Sequence, residues 1–233
     1  MTRGKKIIKK KLKKPDEFIT LTERTFLFVT HHSRSFAVGG GIVLILLVFT
    51  FSFQRWEKKN QENAYQMLHL AVEAYGMVSS PYQEGSPQEY RTVLEKFEEV
   101  TAKYPRTSSG KIAILFKGDI YLRLGEFEDA IKAYEAFLQK KGGEKLYRSL
   151  ALDGLGYSYE GKKEYEKAVN AYQRLIGLGE NFQPADAYLG LGRCYEKMRK
   201  TKEALENYRN FIKVSGKSGM TNVVLQKISN IEK

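Results

Sequence analysis

The chain holds a single cysteine, Cys194, in 233 residues. A lone cysteine excludes an intramolecular disulfide and any Cys-x-x-Cys redox or metal pair, and Cys194 falls at an inner helix position where burial is expected. Histidine is nearly as scarce: His31 and His32 stand beside a long apolar run, and His69 lies on the first helix after it. None sits in a Ser-His-Asp, metal-ligand or phosphate-loop context. Carboxylates beyond the run mostly fall near Lys or Arg, such as Glu164 with Lys167 and Glu203 with Lys202 and Arg199, and read as solvated pairs. The expectation is a chain that is not an enzyme, with no catalytic residue, no metal and no cofactor. Zinc-ligand spacing, RNA-binding aromatic motifs and helix-turn-helix patterns are also missing. No nucleic-acid partner is therefore expected, despite a formal charge of +12.

Charge itself is absent from residues 35–54, whose core is Phe36–Phe53 and whose most apolar stretch is Ile42–Phe49. At about 1.5 Å per residue, twenty helical residues span roughly 30 Å, the hydrocarbon thickness of a bilayer. A buried core helix would show a polar residue every three or four positions, and this run shows almost none. The run leads into Thr50-Phe51-Ser52-Phe53-Gln54-Arg55-Trp56, without an A-x-A-like cleavage site and without a cysteine close behind for lipid attachment. It is expected to be an uncleaved transmembrane signal anchor, with Trp56 at the interface. Ala37 and Gly41 form a small-xxx-small pair within it, which leaves the oligomeric state open.

Residues 1–34 carry ten basic residues against three acidic ones, whereas the rest of the chain carries 29 against 24. Lys and Arg flanking a span stay in the cytoplasm, which places residues 1–34 inside and everything after residue 54 outside. The cluster Lys5, Lys6, Lys9, Lys10, Lys11, Lys13 and Lys14 is expected to contact anionic lipids, each cation contributing on the order of 1 kcal/mol. Phe18, Leu21, Phe28 and Val29 could form a short interfacial helix between this tail and the span.

The remainder repeats itself. Ile114–Tyr121, Leu152–Tyr159 and Tyr188–Tyr195 align, as do Ala130 with Tyr134 and Phe137, Ala168 with Tyr172 and Leu175, and Ala204 with Tyr208 and Phe211. Gly118, Gly156 and Gly192 recur at intervals of 38 and 36. Periods of this size signal stacked helical hairpins. A glycine in mid-helix costs up to about 1 kcal/mol against alanine, so these three imply close approach of another backbone, with Ala130, Ala168 and Ala204 small for the same reason. Tyr121, Tyr159 and Tyr195 sit three residues beyond each glycine, and Tyr134, Tyr172 and Tyr208 fill the gap towards the next pair. Gly125-Glu126 and Gly161-Lys162-Lys163 read as the turns between helices.

This pattern resembles the tetratricopeptide repeat. The resemblance implies an all-α chain: one N-terminal transmembrane helix, then an α-solenoid of helical hairpins closed by a C-terminal capping helix. Residues 1–34 form the tail and 35–54 the span. Residues 55–105 form a bridging helix and a degenerate unit (Gln61–Tyr75, then Pro87–Lys103, closed by Tyr104-Pro105). Residues 106–216 hold three repeats, and 217–233 the cap, with Met220–Ile231 helical. In that family the concave face binds polypeptide segments. Its groove positions fall on Leu115, Asp119, Leu122 and Arg123, on Asp153, Tyr157 and Glu160, and on Leu189, Arg193, Glu196 and Lys197. The mixed charge suits an amphipathic or unfolded chain. The carboxylate clamp of chaperone-associated members needs Lys and Asn where Leu115 and Asp119 stand, so it is not implied.

The whole layout, ending in Leu225-Gln226-Lys227-Ile228-Ser229-Asn230-Ile231, resembles the bacterial ancillary SecYEG translocon subunit family. That resemblance implies a single-pass protein of the bacterial inner membrane whose periplasmic repeats meet exported polypeptides near the translocon and pass them to periplasmic chaperones. The run Tyr104-Pro105-Arg106-Thr107-Ser108 followed by Gly118-Asp119-Ile120-Tyr121 also resembles repeats of outer-membrane assembly and cell-division coordination proteins. A scaffold for one dedicated envelope partner is therefore the alternative expectation.

Overall fold

No proline or glycine interrupts residues 42–75, and nothing there breaks a helix. The computed structural model describes residues 17–80, 83–140, 144–179, 184–216 and 219–232. The basic cluster from Lys5 to Lys14 lies outside the described residues. The chain falls into two units, one ending at Glu57 and one starting at Lys58.

In the first unit, α1 (Glu17–His31) precedes α2 (Ser33–Val78), a helix of 46 residues that continues into the second unit. The apolar span and the helix expected at Gln61–Tyr75 thus belong to one element. Its N-terminal part is long and apolar enough to cross a membrane, and none of that window is buried against protein. Ile42 to Phe49 are all more than half exposed, an apolar surface that surrounds the helix on every side. Phe49 stacks on Phe53, and Phe53 lies against Trp56.

In the second unit, the end of α2 packs against α3 (Pro87–Lys103) through Leu68, Ala71, Val93, Leu94 and Phe97. A two-residue antiparallel pairing of Ser79–Ser80 with Gln83–Glu84 lies in the connection. Ser86 then starts α3 with a capping box to Glu89, two donors satisfied reciprocally. Three helical hairpins follow: α4 (Ser108–Arg123) with α5 (Phe127–Gln139), α6 (Lys145–Gly161) with α7 (Tyr165–Ile176), and α8 (Pro184–Lys197) with α9 (Thr201–Ser215). The helix α10 (Thr221–Ile231) closes the series through Val224, buried against Tyr208 and Phe211. Each helix from α3 onward packs on the next, and α4 also meets α6 as α6 meets α8, the neighbour-only pattern of a solenoid. Cys194 is fully buried among Leu191, Leu175 and Ala187.

The glycines serve a different neighbour from the one the repeat pattern implies. A Cβ on Gly118 would lie 2.7 Å from the Tyr134 ring, on Gly156 2.5 Å from Tyr172, and on Gly192 2.4 Å from Tyr208. An aromatic ring, not another backbone, takes the missing side chain's place. The same ring also meets the next hairpin, since Gly154 abuts Tyr134 and Gly190 abuts Tyr172 just as closely. Tyrosines 134 and 172 are thus wedged between two glycines on successive first helices.

The turns also depart from expectation. Gly125 takes a left-handed conformation (φ 73°), and the residues in register with it are Lys163 (φ 61°) and Arg199 (φ 59°). In all three turns the following amide donates to the carbonyl of Tyr121, Tyr159 or Tyr195, satisfying an orphaned carbonyl at the helix end. Gly161 is the last residue of α6, not the turn residue, and its bare Cα accommodates the Phe127 ring. Left-handed backbone costs an L-residue roughly 1–2 kcal/mol. Lys163→Gly is therefore expected to stabilise the chain by about 0.5–1 kcal/mol. Gly156→Ala is expected to destabilise it by about 1–3 kcal/mol through overpacking against Tyr172. Thermal and denaturant unfolding followed by circular dichroism reads both, and a neutral Gly156→Ala would contradict the wedge.

Candidate functional site

Position by position after each repeat glycine, the first helices carry different chemistry. The residue directly after it is Asp119, Tyr157 or Arg193, and the residue four after it is Leu122, Glu160 or Glu196. The two positions are three apart, which places them on the same face of each first helix and makes one stripe of them.

At the seam between the second and third hairpins this stripe closes on itself. Glu160 accepts from Tyr172 Oη at 2.6 Å and from Arg193 Nε and Nη2 at 2.9 and 2.6 Å, a bidentate charge-assisted pair. The Arg193 guanidinium also lies 5.0 Å from the centre of the Tyr157 ring. Burial works against the Arg193 charge, and the hydrogen bonds and charge of Glu160 outweigh it, leaving its pKa above the ordinary value. At the last seam Glu196 accepts from Tyr208 Oη at 2.5 Å and from Lys227 Nζ at 2.9 Å, with Lys227 supplied by α10. Burial would raise the Glu196 pKa, but these donors hold it below the usual glutamate range. Leu189 is turned into the core beside Tyr208 and Phe211, 8% exposed, while Lys197 is exposed.

The first seam is open. Leu122 and Tyr157 occupy the places of Glu160 and Arg193, and a cavity of about 290 Å³ lies between α4 and α6. It brings together Leu115, Asp119, Leu122, Asp153 and Tyr157 with Phe116, Tyr134, Tyr147, Leu150 and Gly154. Asp119 is already engaged: it accepts from Tyr75 Oη and from Arg123 Nε, which also donates to Tyr75 Oη at 2.8 Å. Asp153 is not. Its buried Oδ1 has no hydrogen-bond partner among the described residues. Burial, then the neighbouring charge of Asp186, pushes the Asp153 carboxyl up to about 7, with Arg193 opposing the shift and Glu160 adding to it.

Tyr75, Tyr147, Leu150 and Lys227 belong to these arrangements without being candidate site residues of the sequence. Tyr134, expected to fill the gap between hairpins, also lines the cavity, and the repeat pattern does not reveal where its hydroxyl points. Among the described residues, no three His, Cys, Asp or Glu side chains gather as metal ligands.

Asp153 binds its proton more tightly when folded than at the ordinary aspartate value of about 4. The proton-linked stabilisation is thus full below about pH 4, declines as pH rises, and is gone above the folded value of about 7. Asp153→Asn is expected to flatten that decline between pH 4 and 7 in unfolding titrations, and an unchanged pH profile would contradict it. Arg193→Ala leaves Glu160 and Tyr172 without their cation and is expected to lose about 2 kcal/mol, less when Glu160→Gln is also present. A double-mutant cycle measures the coupling.

Sequence profiles of the tetratricopeptide repeat match residues 89–145, 115–181 and 186–218. Protein bimA of Emericella nidulans is 35% identical over 60 residues, which are 26% of this chain and only 7% of that protein. Among solved structures, a tetratricopeptide repeat protein from Parabacteroides merdae superposes with a TM-score of 0.56 at 19% identity, over 72% of this chain and 60% of its own. MamA from Desulfovibrio magneticus RS-1 superposes with a TM-score of 0.53, also at 19% identity, over 69% and 80% respectively. At such identities the likeness is one of fold. The profiles cover residues 89–181 and 186–218, more than half of the chain and all of the glycine and tyrosine wedges, and the chain belongs to the tetratricopeptide repeat family.

Proposed function

We propose that this chain is a membrane-tethered interaction scaffold of the bacterial inner membrane, whose periplasmic repeats bind polypeptide segments near the Sec translocon in a chaperone-like role in export. The observation that carries the reading is the apolar stretch of α2, none of it buried against protein, on a chain whose other unit presents an open groove. In water such a stretch would aggregate, and in a bilayer it is at home. The excess of Lys and Arg in residues 1–34 supports an N-terminus in the cytoplasm and repeats outside it. Tethering confines the groove to the membrane surface and raises its effective concentration around chains emerging there. Half-exposed Tyr157 and Leu150 beside carboxylates offer apolar contact and polar anchoring together, which suits extended polypeptide. Translocon subunits, exported polypeptides and periplasmic chaperones are the partners of this reading, with anionic lipids at the Lys5–Lys14 cluster.

Replacing Tyr157 by a photo-crosslinking residue in the full chain, in native membranes, tests it. Crosslinks to translocon subunits and to an assortment of exported polypeptides are expected. Recovery of one stoichiometric envelope protein, with neither translocon nor unfolded clients, would overturn this reading in favour of a dedicated envelope-assembly or cell-division scaffold.

A further inference from the structure

We infer that the cavity between α4 and α6 is a receptor for an arginine side chain of the bound polypeptide, whose guanidinium completes at this seam the polar cluster that Arg193 completes at the next. The inference rests on the reading of the groove as a polypeptide site and names the residue that anchors there.

Three observations converge. The first is register. The tyrosines of the second and third hairpins each give their hydroxyl to a glutamate, which a cation from the following element then neutralises: Tyr172, Glu160 and Arg193, then Tyr208, Glu196 and Lys227. At the first seam the tyrosine is present, but Leu122 and Tyr157 stand where the glutamate and the cation would be. The cavity lies where the latch is missing. The second is unmet polarity. Asp153, which lines the same cavity as Tyr134, has a buried oxygen without a hydrogen-bond partner among the described residues. A desolvated acceptor of this kind favours an incoming donor. The third is charge. The ionisable groups whose fields reach Tyr134 or Asp153 include four carboxylates, those of Asp119, Asp153, Asp186 and Glu160, against the guanidiniums of Arg123 and Arg193. Both guanidiniums are committed, to Asp119 and to Glu160. The site is short of positive charge.

Arginine fits better than lysine. A planar guanidinium can donate in the plane while its face lies on an aromatic ring, and Tyr157 already receives Arg193 in that way. The aliphatic walls, Leu115, Leu122 and Leu150, would take the side-chain stem.

The test uses the full chain in detergent micelles and three fluorescent, unstructured twelve-residue peptides that differ only in a central residue, arginine, citrulline or glutamate. Fluorescence anisotropy is expected to show the arginine peptide binding about tenfold more tightly than the isosteric citrulline peptide, with the glutamate peptide weaker still. Asp153→Asn is expected to erase most of that preference. Leu122→Glu with Tyr157→Arg, which writes the latch of the next seam into this one, is expected to abolish binding. Equal affinity for arginine and citrulline in the unaltered chain overturns the inference and leaves the groove reading standing. Failure of all three peptides to bind overturns both.

Discussion

The array depends on an aromatic ring lodged where two neighbouring helices have no side chain. Tyr134 and Tyr172 each press on a glycine of their own hairpin and on a glycine of the next, at distances that leave no room for a methyl group. One residue thereby sets both the spacing within a hairpin and the offset between hairpins. Because the ring is stiff and fully enclosed, truncating it would remove contacts on three helices at once, the kind of core loss that costs about 3–5 kcal/mol.

The hydroxyl at the tip of the ring joins packing to the polar stripe of the first helices. Where a glutamate and a cation meet it, the seam is filled and Glu160, Arg193 and Glu196 serve cohesion. Where Leu122 and Tyr157 replace them, the joint still holds through the glycines but its polar end is open. The cavity here is therefore a repeat joint whose latch is absent, rather than a feature added to the fold.

The recurrence of Gly118, Gly156 and Gly192 with Ala130, Ala168 and Ala204 made the hairpins legible from sequence, since small residues in helix interiors need a packing reason. The identity of the neighbour was not legible. Gly154 and Gly190 mark the far side of the wedge, but Phe116 stands in register with them in the first hairpin and stacks on Phe97 instead, hiding the period. The second turn falls on Lys162 and Lys163 within the expected Gly161-Lys162-Lys163 run, with Gly161 ending α6. Only Gly125 of the three left-handed positions advertises itself, whereas Lys163 and Arg199 adopt the same backbone because the flanking helices dictate it. In the groove, the family positions Leu115, Asp119, Leu122, Asp153 and Tyr157 meet at one cavity. The partners of Glu160 and Glu196 are tyrosine hydroxyls and a lysine of α10, which spacing along the chain does not orient. Leu189 lies inward because Val224 and Phe211 enclose it, a relation set by the closing helix.

The burial of Cys194 bears on how the chain behaves among oxidants and thiol reagents. Burial pushes its thiol up to about 12, with the charge of Glu160 adding to the shift, and the side chain has no access to solvent. The thiolate that reacts is therefore nearly absent at neutral pH and sealed off as well. Such a sulfur acts as a small hydrophobe, neither crosslinking two copies of the chain nor competing for an electrophile. A cysteine introduced anywhere on the exposed helices would then be the sole reactive thiol of the folded protein, ready to carry a spin label or fluorophore without removal of the native one.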